Sequence, residues 1–447
     1  MGLSERVQKF ELDSSNYLLM NPMTGAIDII PSQFLKEMPP EVETKLKDRG
    51  YFLSEEGRQE NILRLREVGQ EHSKNIPYWF YVLTTLNCNF GCPICYEKTT
   101  RANSELDPAI LDNIIERISG FQHARGIAAD RVNIILFGGE PLLLSNPEIL
   151  RNALNASSEH GWKVVTVTNG SLIEQRLNIF KEHRETIADF RITIDGPKAI
   201  HNSRRPNRDG SGTFDDVVNS IDLLLENGFE VKMQTILGRG NINRFDGILG
   251  YIAGRGWLQN PKFQWRIEGS HDYANLDPQK DEISEGRMVQ RLINAWDSHP
   301  ELRGKLKFES FKYLGHIVRS FGWLGEYKTY WGPKLGFCEP QKGLHYVFST
   351  DGKVYHCPRT INNPDFQLEG LEQASPKRSS IIERPGCIPC DINTICGGGC
   401  VVQKQYYSGL DCREYARSVI TEFVGLMKDR ILERAEPGKL VSVNDLW

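Results

Sequence analysis

Long apolar runs are missing from this chain of 447 residues. No stretch approaches the roughly 20 apolar residues that a membrane-spanning helix needs, and the N-terminus from Met1 to Arg6 lacks the apolar core of a secretion signal. An excess of one charge is missing too. The net charge is −4, which argues against nucleic acid or a membrane surface as a partner. With 39% hydrophobic and 25% charged residues, the composition is that of a soluble globular protein, which we expect in the cytoplasm.

Cysteine is absent from residues 96–337, although the chain contains ten cysteines. Three lie at positions 88–95 and seven between 338 and 412. In a reducing cytoplasm, cysteines grouped at such short spacings indicate metal binding rather than disulfides. Cysteines with scattered structural roles would rarely leave such a gap. The length of the chain predicts two or three domains.

The first group, Cys88, Cys92 and Cys95, has the spacing C-x3-C-x2-C and follows an apolar run at residues 78–83. The run predicts a strand, and the asparagines and glycine after it predict a loop. Thiolates are soft ligands that suit iron–sulfur clusters or zinc. A structural zinc site needs four ligands, so three ligands in one tight loop leave a coordination position open for a small molecule.

Strand-like and helix-like segments alternate from about residue 76 to residue 300. The six predicted strands cover residues 79–84, 132–137, 164–168, 190–194, 230–236 and 262–267. This alternation predicts an α/β fold with a parallel sheet, open or closed into a barrel. Functional residues of such folds gather where the strands end. Polar or glycine-rich signals follow the first four strands, at residues 88–95, 138–141, 168–170 and 195–197.

The two ends of the chain differ from this central pattern. Residues 1–74 predict a small α+β module with a hairpin around residues 21–25 and a charged helix at about 55–72. The module is either a cap on the next domain or a docking site for a peptide. Near the other end, Asp351-Gly352 predicts a hairpin turn just before Cys357, and residues 413–434 predict a final helix packed on the core.

The C-x3-C-x2-C loop with Tyr96 behind it, and the segment 138–141 after the next strand, resemble the radical S-adenosylmethionine (radical SAM) superfamily. The resemblance covers residues 76 to about 415. It implies a partial (β/α)6 TIM-like barrel and a [4Fe–4S] cluster held by the three cysteines. The open iron would chelate the amino and carboxylate groups of S-adenosylmethionine. Reductive cleavage of that cofactor gives a radical that abstracts a substrate hydrogen.

Seven residues are expected to contact S-adenosylmethionine. Glycines allow close backbone approach, and a carboxylate can accept hydrogen bonds from the ammonium group of the cofactor. The segment 195–205 resembles the DGP…H…R segment of peptide-modifying members, which implies an arginine for the cofactor carboxylate and leaves His201 a structural role. The expected cofactor-binding residues are Gly138, Gly139, Glu140, Pro141, Asn169, Thr193 and Arg205.

The seven C-terminal cysteines resemble the SPASM domain, which holds two auxiliary iron–sulfur clusters; a zinc ribbon is the competing interpretation. The resemblance assigns Cys387, Cys390, Cys396 and Cys412 to an outer cluster. It assigns Cys338, Cys357 and Cys400 to an inner one, so that the chain would hold three [4Fe–4S] clusters. The inner cluster is one ligand short, because residues 339–346 contain no cysteine. Either another kind of ligand completes it, or its iron is open to substrate, for example to a peptide thiolate.

The predicted domains are a module at 1–74, a radical SAM partial barrel at 75–305, and a SPASM domain with a C-terminal helix at 306–447. SPASM enzymes mostly act on peptides or proteins. Our first hypothesis is a maturase that forms a carbon–carbon, ether or thioether cross-link in a ribosomally made precursor peptide. The N-terminal module supports it, because such maturases often carry a leader-binding (RRE-like) domain there that grips the leader peptide as an added strand.

Two further hypotheses remain open. One is an anaerobic sulfatase-maturating enzyme that forms formylglycine. That family places an aspartate after its second SPASM cysteine as the general base, whereas here Pro358 and Arg359 follow Cys357. The other is a non-catalytic iron–sulfur electron carrier. The residues expected to bind the cofactor argue against this hypothesis.

A cross-link within a peptide requires the loss of two electrons and two protons. The radical takes one hydrogen atom, and the auxiliary clusters can accept the remaining electron. An external one-electron reductant of the flavodoxin or ferredoxin type is the expected partner. Candidates for the base that takes the last proton are Glu268 at the end of the sixth strand, and His345 and His356 beside the inner cluster.

Overall fold

The computed structural model describes most of the chain: residues 3–52, 54–74, 76–97, 100, 102–270, 281–302, 304–308, 312–323, 334–372, 380–381, 384–402 and 411–444. Over these ranges, no helix combines the length and the apolar composition that crossing a membrane would take.

An antiparallel sheet and two helices form the N-terminal module. Its strands are β1 (Gln8–Glu11), β2 (Asn16–Met20) and β3 (Ile27–Pro31), and its helices are α1 (Pro40–Asp48) and α2 (Glu55–Ser73). The expected hairpin is β2–β3, with Leu18 opposite Ile29 in the register. Its apolar side chains are buried, since Leu19 and Ile30 are fully covered by α1 residues such as Leu46.

All six predicted parallel strands are present, within one to three residues of the expected bounds. They are β4 (Tyr78–Thr85), β5 (Val132–Gly138), β6 (Lys163–Thr168), β7 (Ile187–Thr193), β8 (Val231–Leu237) and β9 (Phe263–Gly269), followed by β10 (Leu306–Phe308). They lie side by side in sequence order and all run parallel. The expected α/β partial barrel is therefore confirmed.

Helices cover one face of this sheet. They are α3 (Pro108–Ala124), α4 (Glu148–Glu159), α5 (Ile173–Glu182), α6 (Lys198–Arg204), α7 (Phe214–Glu226), α8 (Phe245–Gly254), α9 (Glu285–Ser298) and α10 (Gly315–Ser320). Helix α3 begins as predicted, because the Asp107 side chain accepts a hydrogen bond from Ala109 N at 2.8 Å and Pro108 occupies the first turn. Strand side chains such as Ile134, Phe190 and Trp265 pack against these helices in one continuous core.

The C-terminal cysteine-rich region extends the same sheet. Its elements are β11 (His345–Phe348), β12 (Val354–Tyr355), β13 (Gln367–Leu368), α11 (Asn393–Cys396), α12 (Cys412–Leu426), α13 (Lys428–Leu432) and β14 (Val441–Ser442). Strand β11 runs parallel to β4, and β12 turns back beside it. The expected final helix is present in two parts, α12 and α13.

The last strand returns to the beginning of the chain. Val441 and Ser442 of β14 pair antiparallel with Ile29 and Asp28 of β3, so the N-terminal sheet has the order β1-β2-β3-β14. The side chain of Asn444 fixes this return by donating to Gly25 O at 2.7 Å and accepting from Ile27 N at 2.8 Å. The sequence did not predict this strand, because two residues carry no periodic signal.

Candidate active site

The loop that carries the first three cysteines follows β4 and is tied to a second loop by its backbone. Gly91 N donates to Pro206 O at 2.7 Å, and Arg208 N donates to Asn89 O at 3.1 Å. Cys88 and Cys92 are buried, with 5% and 7% of their surface exposed, whereas Cys95 is half-buried. Three soft thiols held in one rigid loop fit the donor set of an iron–sulfur cluster.

The glycine pair at the end of β5, Gly138 and Gly139, packs against the backbone that leads into this loop. Gly138 has φ +130°, a backbone conformation that favours glycine. A Cβ on Gly138 would lie 2.2 Å from Thr85 O, and a Cβ on Gly139 would lie 2.2 Å from Asn87 O. The close approach lets Gly139 N donate to Thr85 O at 2.9 Å and Glu140 N donate to Asn87 O at 2.8 Å. The two glycines therefore position the residue that precedes Cys88.

Glu140 is fully buried and joins the ends of β5 and β6. Its carboxylate accepts hydrogen bonds from Thr168 Oγ1 at 2.6 Å, Asn169 N at 2.7 Å and Leu142 N at 3.1 Å. Burial raises the pKa of Glu140 to about 7, although these three donors oppose the shift. In the described contacts this side chain holds the Thr168–Asn169 turn, and its expected contact with the cofactor ammonium stays a prediction. The neighbouring Pro141 contributes a backbone carbonyl that accepts from Thr84 Oγ1 at 2.9 Å.

Asn169 connects that turn to the cysteine loop. Its Nδ2 lies 4.0 Å from Cys88 Sγ and donates to Asn89 Oδ1 at 2.8 Å. Its Oδ1 accepts from Ser171 Oγ at 2.7 Å, and Asn89 in turn donates to Ser171 Oγ at 2.8 Å. The expected residue Asn169 therefore lies next to the first cysteine, with its amide orientation fixed at both ends.

An ion-pair cluster follows β7, where Thr193 is the last and half-buried residue. Asp195 accepts hydrogen bonds from Arg205 Nε at 2.9 Å, Arg204 Nε at 3.3 Å and Ile236 N at 3.0 Å. Burial alone would raise the pKa of Asp195, but the two guanidinium groups and the amide hold it below its usual value. Arg205 also responds to the charges of the cysteine loop. Burial opposes its cation, yet Asp195, Cys92 and Cys95 together raise the pKa of Arg205.

Two partners of this cluster are residues that sequence reasoning missed. Asp281 binds Arg204 through both carboxylate oxygens, at 3.0 and 2.9 Å. Asn241 donates to Asp195 O at 2.7 Å and to Ile236 O at 2.8 Å. No local sequence pattern points to Asp281, which comes from a distant part of the chain.

His201 has a structural role, as expected. It is fully buried, and its Nδ1 accepts from Asp195 N at 3.3 Å. Its Nε2 lies 3.2 Å from Thr213 Oγ1, which donates its own proton to Arg205 O at 2.5 Å. Burial lowers the pKa of His201 to about 4, so the ring is neutral and holds the backbone around Arg205.

Some of the C-terminal cysteines interact with one another, Cys357 with Cys400 and Cys396 with Cys390 and Cys412, and their assignment to two clusters stays a prediction. Burial and the charge of Cys400 raise the pKa of Cys357 to about 11. A hydrogen bond with Cys412 and burial raise the pKa of Cys396, which also responds to the charge of Cys390. Across the described ranges, no three Cys, His, Asp or Glu side chains lie close enough together to hold a single metal ion.

Gln341 links the turn of Cys338 to that of Cys400. Its Oε1 accepts from Phe337 N at 3.1 Å, and its Nε2 donates to Gly399 O at 2.8 Å. Gln341 is 2% exposed, so this bridge is buried. The contact brings the third member of the expected inner set towards the other two.

The three candidate bases lie in different places. Glu268 is half-buried near the end of β9, on the edge of the sheet where the cysteine loop lies. His345 pairs with Trp79 near the start of β4, and its ring lies 5.6 Å from that of Tyr81. His356 is 1% exposed and precedes Cys357, with its ring 6.3 Å from Phe366. The structure does not bring the three side chains together.

One contact spans the space between the cysteine loop and the inner set. The guanidinium of Arg359 lies 5.8 Å from the centre of the Tyr96 ring. Tyr96 follows Cys95, and Arg359 lies two residues after Cys357. Burial, more than any neighbouring charge, raises the pKa of Tyr96 well above its usual value. This contact therefore connects the residue after Cys95 with a residue close to Cys357, and it lies between the two cysteine sets.

Comparison with known proteins agrees with this site. Residues 82–249 match the radical SAM superfamily, and this match includes the cysteine loop, the glycine pair and the Asp195 cluster. The chain therefore contains a radical SAM domain, as the resemblance implied.

Individual relatives are distant. The serine-type anaerobic sulfatase-maturating enzyme of Klebsiella aerogenes is 24% identical over 337 residues, which is 70% of this chain and 76% of that protein. The cysteine-type enzyme of Clostridium novyi (strain NT) is 23% identical over 352 residues, 71% of this chain and 86% of that protein. The radical SAM cyclopropyl synthase TigE of Paramaledivibacter caminithermalis is 24% identical over 174 residues, 36% of this chain and 35% of that protein.

Two groups of solved structures share the fold. The enzyme anSMEcpe with bound AdoMet and Kp18Cys peptide superposes with a TM-score of 0.58 at 16% identity, covering 80% of this chain and 100% of that chain. Streptococcus suis SuiB bound to its precursor peptide SuiA gives 0.55 at 15% identity, covering 91% of this chain and 97% of that chain. At these identities the likeness concerns the fold alone.

Proposed function

We propose that this enzyme is a peptide maturase that forms an intramolecular cross-link in a ribosomally made precursor peptide. The bond would be carbon–carbon, ether or thioether. The observation that carries the proposal is the Tyr96–Arg359 contact, because it places the guanidinium of Arg359 between the cysteine loop and the inner cysteine set. The likeness to SuiB, which was solved with its precursor peptide and covers 91% of this chain, supports it.

The residues of the cysteine loop fit the group that the family implies. When bound, an iron–sulfur cluster and S-adenosylmethionine supply a radical that removes a hydrogen atom from the substrate. Cys88, Cys92 and Cys95 would hold the cluster, and the glycine pair lets the backbone before Cys88 pack closely against the end of β5. Arg205, held in place by Asp195 at 2.9 Å, would bind the carboxylate of the cofactor, while Thr193 and Asn169 line the same edge of the sheet.

The remaining cysteines would hold two auxiliary clusters, which gives three [4Fe–4S] clusters in all. The outer cluster takes four cysteines and the inner one takes Cys338, Cys357 and Cys400, so the inner one needs a further ligand. A substrate thiolate is one such ligand, and it would place the peptide beside Tyr96 and Arg359. The clusters would also accept the second electron that cross-linking removes, and an external reductant of the flavodoxin or ferredoxin type would supply the electron that starts the reaction.

A base must take the last proton, and the positions of the three candidates support one of them more than the others. Glu268 shares an edge of the sheet with the cysteine loop, whereas His345 and His356 accompany the inner set. His345 pairs with Trp79 near the start of β4, at the end of the strands away from the cysteine loop, and His356 packs against Phe366. Glu268 is therefore the candidate that we favour.

The N-terminal module is our proposed leader-binding domain. A peptide that adds as a strand needs a sheet edge with unpaired backbone groups. In the N-terminal sheet, β14 already pairs with β3 at one edge, and β1 forms the other. The leader would therefore pair with one of the edge strands, β1 or β14, or displace β14 from β3.

Anaerobic sulfatase maturation is the second candidate, because the relatives from Klebsiella aerogenes and Clostridium novyi carry that name and align over 70% and 71% of this chain. Arg359 argues against it, since a guanidinium remains protonated and cannot act as the base.

The deciding experiment supplies the reconstituted enzyme, S-adenosylmethionine and a reductant with two substrates in parallel. One is a short peptide encoded beside the gene, and the other is a sulfatase peptide containing Ser or Cys. We expect 5′-deoxyadenosine in both reactions, and a loss of about 2 Da only in the encoded peptide, from the two hydrogen atoms that a cross-link removes. A product that reacts with an aldehyde reagent would identify formylglycine and overturn the proposal in favour of sulfatase maturation.

A further inference from the structure

Strand β1 begins against a loop that carries two of the proposed outer-cluster cysteines. The guanidinium of Arg6 donates from Nη1 to Cys390 O at 2.8 Å and from Nη2 to Ile388 O at 3.1 Å. These two carbonyls lie within the turn that joins Cys387 to Cys390. The planar guanidinium of Arg6, from the N-terminal module, therefore holds the backbone of that turn.

Asp391 follows Cys390 and makes further contacts across this boundary. It is 5% exposed. Gln8 Nε2 donates to Asp391 Oδ2 at 3.0 Å, Arg413 Nε lies 2.8 Å from Asp391 Oδ1, and Arg417 pairs with the same carboxylate. Arg413 directly follows Cys412, so one buried carboxylate connects the N-terminal module to both ends of the proposed outer set.

We propose that Arg6 and Asp391 are positioning residues of the outer auxiliary cluster, and that β1 forms part of the wall of its site. The inference rests on the proposed function, which places an iron–sulfur cluster on Cys387, Cys390, Cys396 and Cys412. Groups that hold the backbone of a ligand loop fix the positions of its thiolates, and their removal weakens the metal site.

Charge gives the two residues opposite effects on the cluster. Reduction adds negative charge to a cluster, so a nearby cation favours the reduced state and a nearby anion opposes it. Removal of the Arg6 charge should make the reduction potential of the outer cluster more negative. Removal of the Asp391 charge should make it less negative. General loosening of the loop would not produce shifts of opposite sign.

The test uses the full chain with Cys88, Cys92 and Cys95 all replaced by alanine, so that only auxiliary clusters contribute to the spectra. In this background we compare Arg6→Met, Asp391→Asn and the conservative Arg6→Lys. The matched control is Arg49→Met, which breaks the Arg49–Asp28 ion pair at 2.8 Å inside the same module and leaves the cysteine turn untouched. Reduction potentials come from EPR-monitored titration, and cluster stability from the rate of iron release to a chelator.

We expect iron release from one cluster to accelerate about tenfold in Arg6→Met and Asp391→Asn, with potentials shifted in opposite directions. Arg6→Lys should keep a potential near that of the parent, because it keeps the charge. Unchanged release and potentials in Arg6→Met and Asp391→Asn, or equal acceleration in Arg49→Met, would overturn the inference. If the parent variant lacks any auxiliary cluster after reconstitution, the cluster assignment itself is wrong, and that failure is visible before the comparison begins.

Discussion

Replacement of Gly139 by alanine should displace the backbone before the cysteine loop from the end of β5. The new Cβ would lie 2.2 Å from Asn87 O, 2.6 Å from Asn87 C and 2.9 Å from Leu86 O. All three atoms belong to the backbone, so no side chain can rotate away. Real Cβ atoms rarely approach closer than 3.0 Å, and the backbone before Cys88 must therefore move by about 0.8 Å.

The cost of this movement follows from the contacts it breaks. The hydrogen bonds from Gly139 N to Thr85 O and from Glu140 N to Asn87 O would be lost or stretched, at about 1 kcal/mol each. Overpacking adds about 1–3 kcal/mol. We expect Gly139→Ala to lower the free energy of unfolding by about 3–5 kcal/mol, and to slow 5′-deoxyadenosine formation about 100-fold, because a shift of about 1 Å at reacting groups has effects of that size.

Gly120→Ala is the matched control. Gly120 lies in α3, and a Cβ there would meet nothing within 4 Å, so the same change should stabilise the helix by about 0.5–1 kcal/mol. The measurements are denaturant unfolding, iron content after reconstitution, and the rate of 5′-deoxyadenosine formation. If Gly139→Ala matches Gly120→Ala in iron content and in rate, the glycine pair does not position the cysteine loop and our reading of the site is wrong.

Three further predictions test the ends of the strands and the module. Burial raises the pKa of Glu140 to about 7, so the native state binds its proton more tightly than the unfolded state. Its contribution to the free energy of unfolding, about 3 kcal/mol, should therefore be complete below pH 4.5 and be lost as the pH rises through 7. Glu140→Gln should remove this pH dependence from the free energy of unfolding measured with denaturant. Arg205→Lys should raise the KM for S-adenosylmethionine about tenfold at unchanged iron content, because lysine cannot both pair with Asp195 and reach the cofactor; an unchanged KM would exclude Arg205 from the cofactor site. Deletion of residues 441–447 should expose the β3 edge and tighten binding of the precursor peptide in a fluorescence anisotropy assay, whereas unchanged or weaker affinity would show that the peptide does not use that edge.

The sequence predicted the barrel strands well for a physical reason. Buried strands of a parallel sheet are nearly continuous apolar runs, and the runs around Ile134, Val165 and Phe190 stand out from polar surroundings. The residues after each strand are equally local signals, so the cysteine loop, the glycine pair and Asn169 were all found. The structure then placed them at one edge, because the carboxyl ends of parallel strands meet there.

What the sequence did not predict depends on partners far apart in the chain. Glu140 carries a motif, but its three hydrogen bonds to Thr168, Asn169 and Leu142 could be seen only in the folded chain. Asp281 offers no pattern at all, since its partner Arg204 lies 77 residues earlier. Isolated charged residues are usually solvated, and only tertiary structure distinguishes those that are buried in ion pairs.

The N-terminal module shows the same difference between local contacts, which the sequence predicts, and distant contacts, which it does not. Its hairpin was predictable, but the sequence left open whether the module is a cap on the next domain or a docking site for a peptide. The structure instead fixes both sides of its sheet: β14 and Asn444 hold one edge, and Arg6 and Gln8 hold the other against the turn that ends at Cys390. A peptide that pairs with β1 would therefore lie beside the wall of the proposed outer cluster. Binding of the leader and the properties of that cluster should then be coupled, because the same few side chains take part in both.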